Sequence, residues 1–213
     1  MIFSGKYNNL ILTGEEMIKD HLTIMDEMKG YASPRARLTR MLKSGTIIQV
    51  RRGLFVDNVN VSRRILAPII YGPSYLSFQY ALHHFGLIPE RVNIVTSATY
   101  NKNKDKMYHT PLGDFKYYYL PCRVYPYGIM KEEEDGFPYL LASPEKALCD
   151  TLYKTSGINT IDDLELLLFD DWRMERAELL KLDSGFISFI APLYHRRPLV
   201  LLKKWFSREN NDA

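Results

Sequence analysis

The stretch Ser33–Phe55, SPRARLTRMLKSGTIIQVRRGLF, holds six basic residues and no acidic one. Its first part, ASPRARLTRMLKSG, reads as a helix. Ser33 can cap it, Pro34 suits the first helical position, and Gly45 stands where a left-handed stop is wanted. Leu38, Met41 and Leu42 fall at i, i+3 and i+4 and make one buried stripe. At about 100° per residue, Ala36, Arg37, Thr39, Arg40 and Lys43 then point away from that stripe, with Arg35 on the flank. The second part, TIIQVRRGLFVDN, reads as two short β segments, Ile47–Arg51 and Leu54–Val56, around a turn containing Gly53.

Working outward, Thr13 and Glu16 of TGEE have the spacing of a capping box, which predicts a helix from about Glu15 to His21. LTIMDEMKG reads as a second short helix ending at Gly30. Three helices followed by a small hairpin is the order of a winged helix-turn-helix, and the outward face of the third suits a helix entering a major groove.

Charge distribution carries more weight here than total charge. The 213-residue chain is only +3 overall, with 46% apolar and 25% charged residues. Between Met28 and Val56 it places seven Lys or Arg residues and no Asp or Glu. A phosphate-binding surface needs such a span, because each neutralised phosphate releases a condensed counterion and a nearby carboxylate would repel the backbone. A lone basic helix is more often a solvated surface. The shorter helices before it and the basic hairpin after it favour DNA. Arg37, Thr39, Arg40 and Lys43 are the candidates for base edges and groove-wall phosphates. Ser33 and the first-turn N–H groups beside Arg35 can meet a phosphate. Arg51 and Arg52 sit where a wing touches backbone or minor groove.

The rest of the chain reads as α+β: residues 1–58 a winged helix-turn-helix, 59–73 a connector whose two prolines argue against one continuous helix, and 74–213 a mixed domain with an antiparallel sheet. SFQYALHHFGLIPERV is a short helix with Ser77 as its cap. KMYHTPLGDFKYYYLP and YGIMKEEEDGFPYLLAS read as hairpins, the second with an acidic turn at Glu133–Gly136. SPEKALCDTLYKTSG is a helix, and further helices are expected at about Ile161–Asp170, Glu175–Lys181 and Leu199–Phe206, before a frayed polar tail. No apolar run reaches about 18 residues and no secretory signal is read. Cys122 and Cys149 lack CxxC spacing and read as two buried free thiols in a reducing cytoplasm.

Several segments match a known family in order. LTRMLKSGTIIQVRRGLFV resembles the N-terminal winged helix of the AbiEi family of type IV antitoxins, with Gly45, Val50, Arg51, Arg52, Gly53, Leu54 and Phe55 on its wing pattern. YLSFQYALHHFGLIPERVNIVTSAT, PLGDFKYYYLP and LLASPEKALCDTLY are similar to later blocks, so the likeness spans about residues 20–155. One departure is Phe85 before Gly86, with the histidines one position early. The resemblance implies repression of the chain's own operon through inverted repeats, with two copies on DNA, and a partner that is a nucleotidyltransferase-type toxin counteracted without a stable complex. It also implies a basic stripe in the C-terminal domain, for which Lys102, Lys104, Lys106, Arg196, Arg197, Lys203 and Lys204 are the weaker candidates.

No catalytic, metal-binding or cofactor-binding residue is assigned. The five histidines lack HExxH or metal-ligand spacing, and no GxSxG, Walker loop or GxGxxG is present. Glu145 and Lys146 in a helix's first turn keep a metal-dependent nuclease as an alternative. The tyrosines at 117–119 and 125–127 keep single-stranded nucleic acid as another.

Overall fold

A computed structural model describes residues 18–212. The protein is mixed α and β, and it divides into two compact units between Val61 and Ser62.

The first unit runs β1 (Ile18–Asp20), α1 (His21–Glu27), α2 (Pro34–Lys43), β2 (Ile48–Arg51), β3 (Leu54–Val56). Its sheet has the order β1-β3-β2. Both pairings are antiparallel, with Ile18 and Ile48 flanking Val56. The helix expected from Glu15 to His21 is therefore wrong over its described part. Asp20 is the reason. Its carboxylate accepts a hydrogen bond from Thr23 N at 2.8 Å, which caps α1 and requires extended backbone at residue 20. The same bond holds the Asp20 carboxyl below its ordinary value. Residues 18–20 then pair with β3, and α1 starts at His21 and stops before Gly30. The Thr13–Glu16 capping box lies outside the described residues.

Burial in this unit follows the expected stripe. Ile24, Met28, Leu38, Ile47 and Phe55 form its core, with Met25, Met41 and Leu42 packed against it. The β2–β3 turn is also as read. Gly53 has φ +79, a left-handed conformation that glycine adopts without steric cost.

The second unit begins with α3 (Arg63–Ile70), inside the stretch expected to be a connector. Pro68 lies within it and forgoes one hydrogen bond. Burial of Ile65, Leu66, Ala67 and Ile70 outweighs that loss. Then come β4 (Ser74–Leu76), α4 (Phe78–His84), β5 (Val95–Thr99), β6 (Lys106–Thr110), β7 (Gly113–Tyr119), β8 (Ile129–Glu134), β9 (Phe137–Ala142) and α5 (Pro144–Lys154). The six-stranded sheet has the order β6-β7-β5-β4-β9-β8. Both expected hairpins are present, but the sheet is mixed and not antiparallel: β5 pairs with β7, and β4 with β9, in parallel. One strand of the second parallel pair, β4, has three residues, all buried, and shows no alternation to read.

One face of the sheet carries α3, where the Tyr117 hydroxyl donates to Ala67 O at 2.7 Å. The other carries α5. The helices continue with α6 (Ile161–Glu165) running into a π-helical turn, then α7 (Arg176–Leu179), α8 (Ser184–Ile190) and α9 (Arg197–Asp212). Helix α8 was not anticipated: SGFISFI has poor intrinsic propensity, and the helix rests on an Asp183 cap and burial of Ile187 and Ile190. Helix α9 extends through the tail expected to fray. Among the described residues no helix is long and apolar enough to cross a membrane.

A fully buried ionic cluster ties α5 to the sheet. Lys146 Nζ lies 2.8 Å from Asp150 Oδ1 and donates to Tyr194 OH at 2.6 Å and Val124 O at 3.0 Å. Asp150 Oδ2 accepts from Ser77 Oγ at 2.7 Å and from Tyr75 OH at 3.0 Å. Ser77 occupies the N-cap position of α4, yet its hydroxyl serves Asp150 and not the helix. Burial, reinforced by the Asp150 carboxylate, pushes the Tyr75 and Tyr194 hydroxyls well above the ordinary tyrosine range. Of the cysteines, only Cys149 is buried; Cys122 is exposed.

Removing one partner of a buried pair strands the other's charge, so Lys146→Ala should cost about 3–5 kcal/mol in urea unfolding. Lys146→Met combined with Asp150→Leu should cost less than the two single changes added together.

Candidate nucleic-acid interface

Helix α2 positions the cationic side chains. Leu38 is 8% exposed and faces the core of the first unit, so residues one or two steps round the helix must face outward. Arg35, Thr39, Arg40 and Lys43 are exposed, as are Ser33, Arg51 and Arg52. Arg37 is half-buried because its guanidinium stacks on Tyr31, 4.0 Å from the ring centroid. Tyr31 had no role in the sequence reading. Its place two residues before the helix cap is the signal that could have found it.

Not one of Arg35, Arg37, Arg40, Lys43, Arg51 and Arg52 pairs with a carboxylate among the described residues. Two acids of α1 are engaged elsewhere: Asp26 with Lys29 at 3.0 Å and Glu27 with Lys19 at 2.9 Å. Lys29, counted in the basic span, is thereby neutralised.

Two details refine the expected roles. The Ser33 side chain makes no cap hydrogen bond to α2, so its hydroxyl is available to a ligand. The Thr39 hydroxyl donates to Arg35 O at 3.0 Å, leaving a methyl group and oxygen lone pairs to meet a base edge. Arg40 Nε donates to Ala36 O at 3.4 Å, which lays the side chain along its own helix. At the turn, His21 N donates to Gly53 O at 3.2 Å, tying the start of α1 to the loop that carries Arg51 and Arg52.

In the second unit, the pair retained for nuclease chemistry is separated by environment. Lys146 is locked in the buried cluster. Glu145 accepts from Ser143 Oγ at 2.8 Å and from Asp183 N at 3.1 Å, linking two helix starts. Among the described residues no three His, Cys, Asp or Glu side chains come together to hold a metal. Of the tyrosines at 117–119, Tyr117 is fully buried, while Tyr119 is exposed beside Lys154 Nζ, 3.9 Å from its ring centroid. Of the weaker basic candidates, Lys102 lies over the Tyr71 ring and Arg196 over Tyr153. Arg197 donates to Asn159 O at 2.6 Å.

No family model matches the chain, and no curated protein matches it. Among solved structures, JHP933 from Helicobacter pylori is similar over 62% of this chain and 70% of that one, at 12% identity and a TM-score of 0.32. A likeness that low supports no inference about fold or function.

Leu38→Ala should destabilise the first unit by about 2–5 kcal/mol, as large-to-small core changes do. Arg40→Ala, at an exposed position with no ion-pair partner among the described residues, should leave the thermal midpoint of that unit unchanged.

Proposed function

We propose that the protein is a double-stranded-DNA-binding transcriptional regulator of the AbiEi antitoxin kind, its first unit a winged helix with α2 in the major groove. One observation carries the reading: α2 buries an apolar stripe and turns outward a row of cations that no described carboxylate neutralises. The order β1-α1-α2-β2-β3, with β3 central, is compatible with a winged helix whose wing is the β2–β3 turn.

Roles follow from position. Arg40 and Lys43, with the Thr39 methyl, meet base edges and groove walls. Arg35 and the Ser33 hydroxyl meet a phosphate at the start of α2. Arg51 and Arg52 meet backbone or the minor groove beside it. A single copy supplies only a modest electrostatic term. Two copies on an inverted repeat raise affinity by acting at high effective concentration. Repression of its own operon, and opposition to a nucleotidyltransferase-type toxin without a stable complex, rest on the sequence resemblance. No catalytic step and no cofactor are assigned.

Gel shifts on operator and scrambled duplexes test this reading. A bidentate arginine contact to guanine is worth about 1–3 kcal/mol of discrimination, so Arg40→Ala should weaken operator binding and narrow its margin over scrambled DNA. Arg51→Ala should weaken both duplexes alike and reduce the salt slope by about one. Unchanged affinity in both variants would remove the proposal.

A further inference from the structure

We propose that the second unit associates head-to-tail with further copies of the same chain, by antiparallel pairing of the β6 edge of one copy with the β8 edge of the next. Among the described residues, each of these strands is hydrogen-bonded on one side only. An open edge is a template for another strand unless something blocks it.

Strand directions decide which pairing is possible. β7 and β5 run parallel, β4 and β9 run opposite to them, and the outer strands are antiparallel to their neighbours. β6 and β8 therefore run in opposite directions. A second copy displaced along the sheet and turned to continue its twist sets its β6 beside the first copy's β8 in antiparallel register. The faces also stay continuous. One row crosses all six strands: Lys106, Tyr117, Ser97, Leu76, Leu141, Met130.

Charge selects this pairing over its rivals. From that row toward the same end of the sheet, the β6 side carries Lys104 and Lys106, and the β8 side carries Lys131 followed by Glu132, Glu133 and Glu134, a net acidic edge. Asp105, the one acid among the lysines, is held by Lys154 at 3.0 Å. Glu134 is shared with Arg64 at 3.2 Å, whereas Lys104, Lys106, Glu132 and Glu133 have no ion-pair partner among the described residues. Two β8 edges brought together repel each other, and so do two β6 edges. The basic edge and the acidic edge attract, as opposite charges do across strands. Such a contact is heterologous: it leaves a free edge at each end and does not close at the dimer.

Sedimentation velocity on the full chain without DNA, at low salt and over a range of concentration, tests this. The average mass should rise past the dimer without a plateau. Lys104→Glu with Lys106→Glu, or Glu132→Lys with Glu133→Lys, should each weaken association about tenfold or more. The fourfold variant carrying both reversals should recover it, which also controls for folding. An equimolar mixture of the two double variants should also recover it, because alternating copies restore an acidic edge against a basic one at every contact, and should grow past the dimer. A monomer at every concentration, a mass that stops at the dimer in the unsubstituted chain, or double variants that associate like it would each overturn the proposal.

Discussion

Contact between the apolar stripe of α2 and the core of the first unit fixes the rotation of the helix that bears the charges. Leu38 inserts beside Phe55, Ile24 and Ile47, with Met41 and Leu42 at the margin. An α-helix has no freedom to choose which residues lie opposite its buried row. Once Leu38 is inside, Arg40 and Lys43 are outside. The hairpin obeys a related constraint. Phe55 and Val50 are buried, so the left-handed turn at Gly53 is held against the unit and presents Arg51 and Arg52. A charged surface of this kind follows from burial and needs no separate device to aim it.

The second unit solves a different problem. Its mixed sheet places a three-residue strand at its centre, flanked by longer partners, and α5 must pack over it. Lys146, Asp150, Tyr75, Ser77 and Tyr194 meet beneath α5 with their hydrogen bonds mutually satisfied. Buried ions are costly to desolvate, and such a cluster holds together only when every member is paired. Hydrogen bonds with Ser77, Tyr75, Val124 and Tyr194 converge there from separate parts of the chain. The cluster therefore fixes the register of α5 against β4 and α4.

How much was legible in the sequence depended on local signals. The α2 boundaries, its stripe, the β2–β3 turn and the two later hairpins were all written in caps, periodicity and glycine placement. The short strands β1 and β4 were not, because three residues carry no period, and their pairing comes from distant partners. The Pro68 helix and α8 went unread because burial overrode weak propensity. Lys146 was legible only as a residue of a helix's first turn, kept beside Glu145 for nuclease chemistry. Only the tertiary placement of Tyr194, 48 positions away, turns it into a core residue. For the candidate interface, the outward cations were legible, whereas the stacking of Tyr31 on Arg37 and the hydrogen bond that occupies Thr39 were not.

On the proposed function, a duplex docks on α2 and the β2–β3 turn. Titrating isotope-labelled protein with an operator duplex and following backbone and arginine side-chain resonances tests it most directly. The account predicts perturbations concentrated at residues 33–43 and 51–53. Perturbations confined to residues 62–212, or equal response to a single strand of the same length, would contradict it.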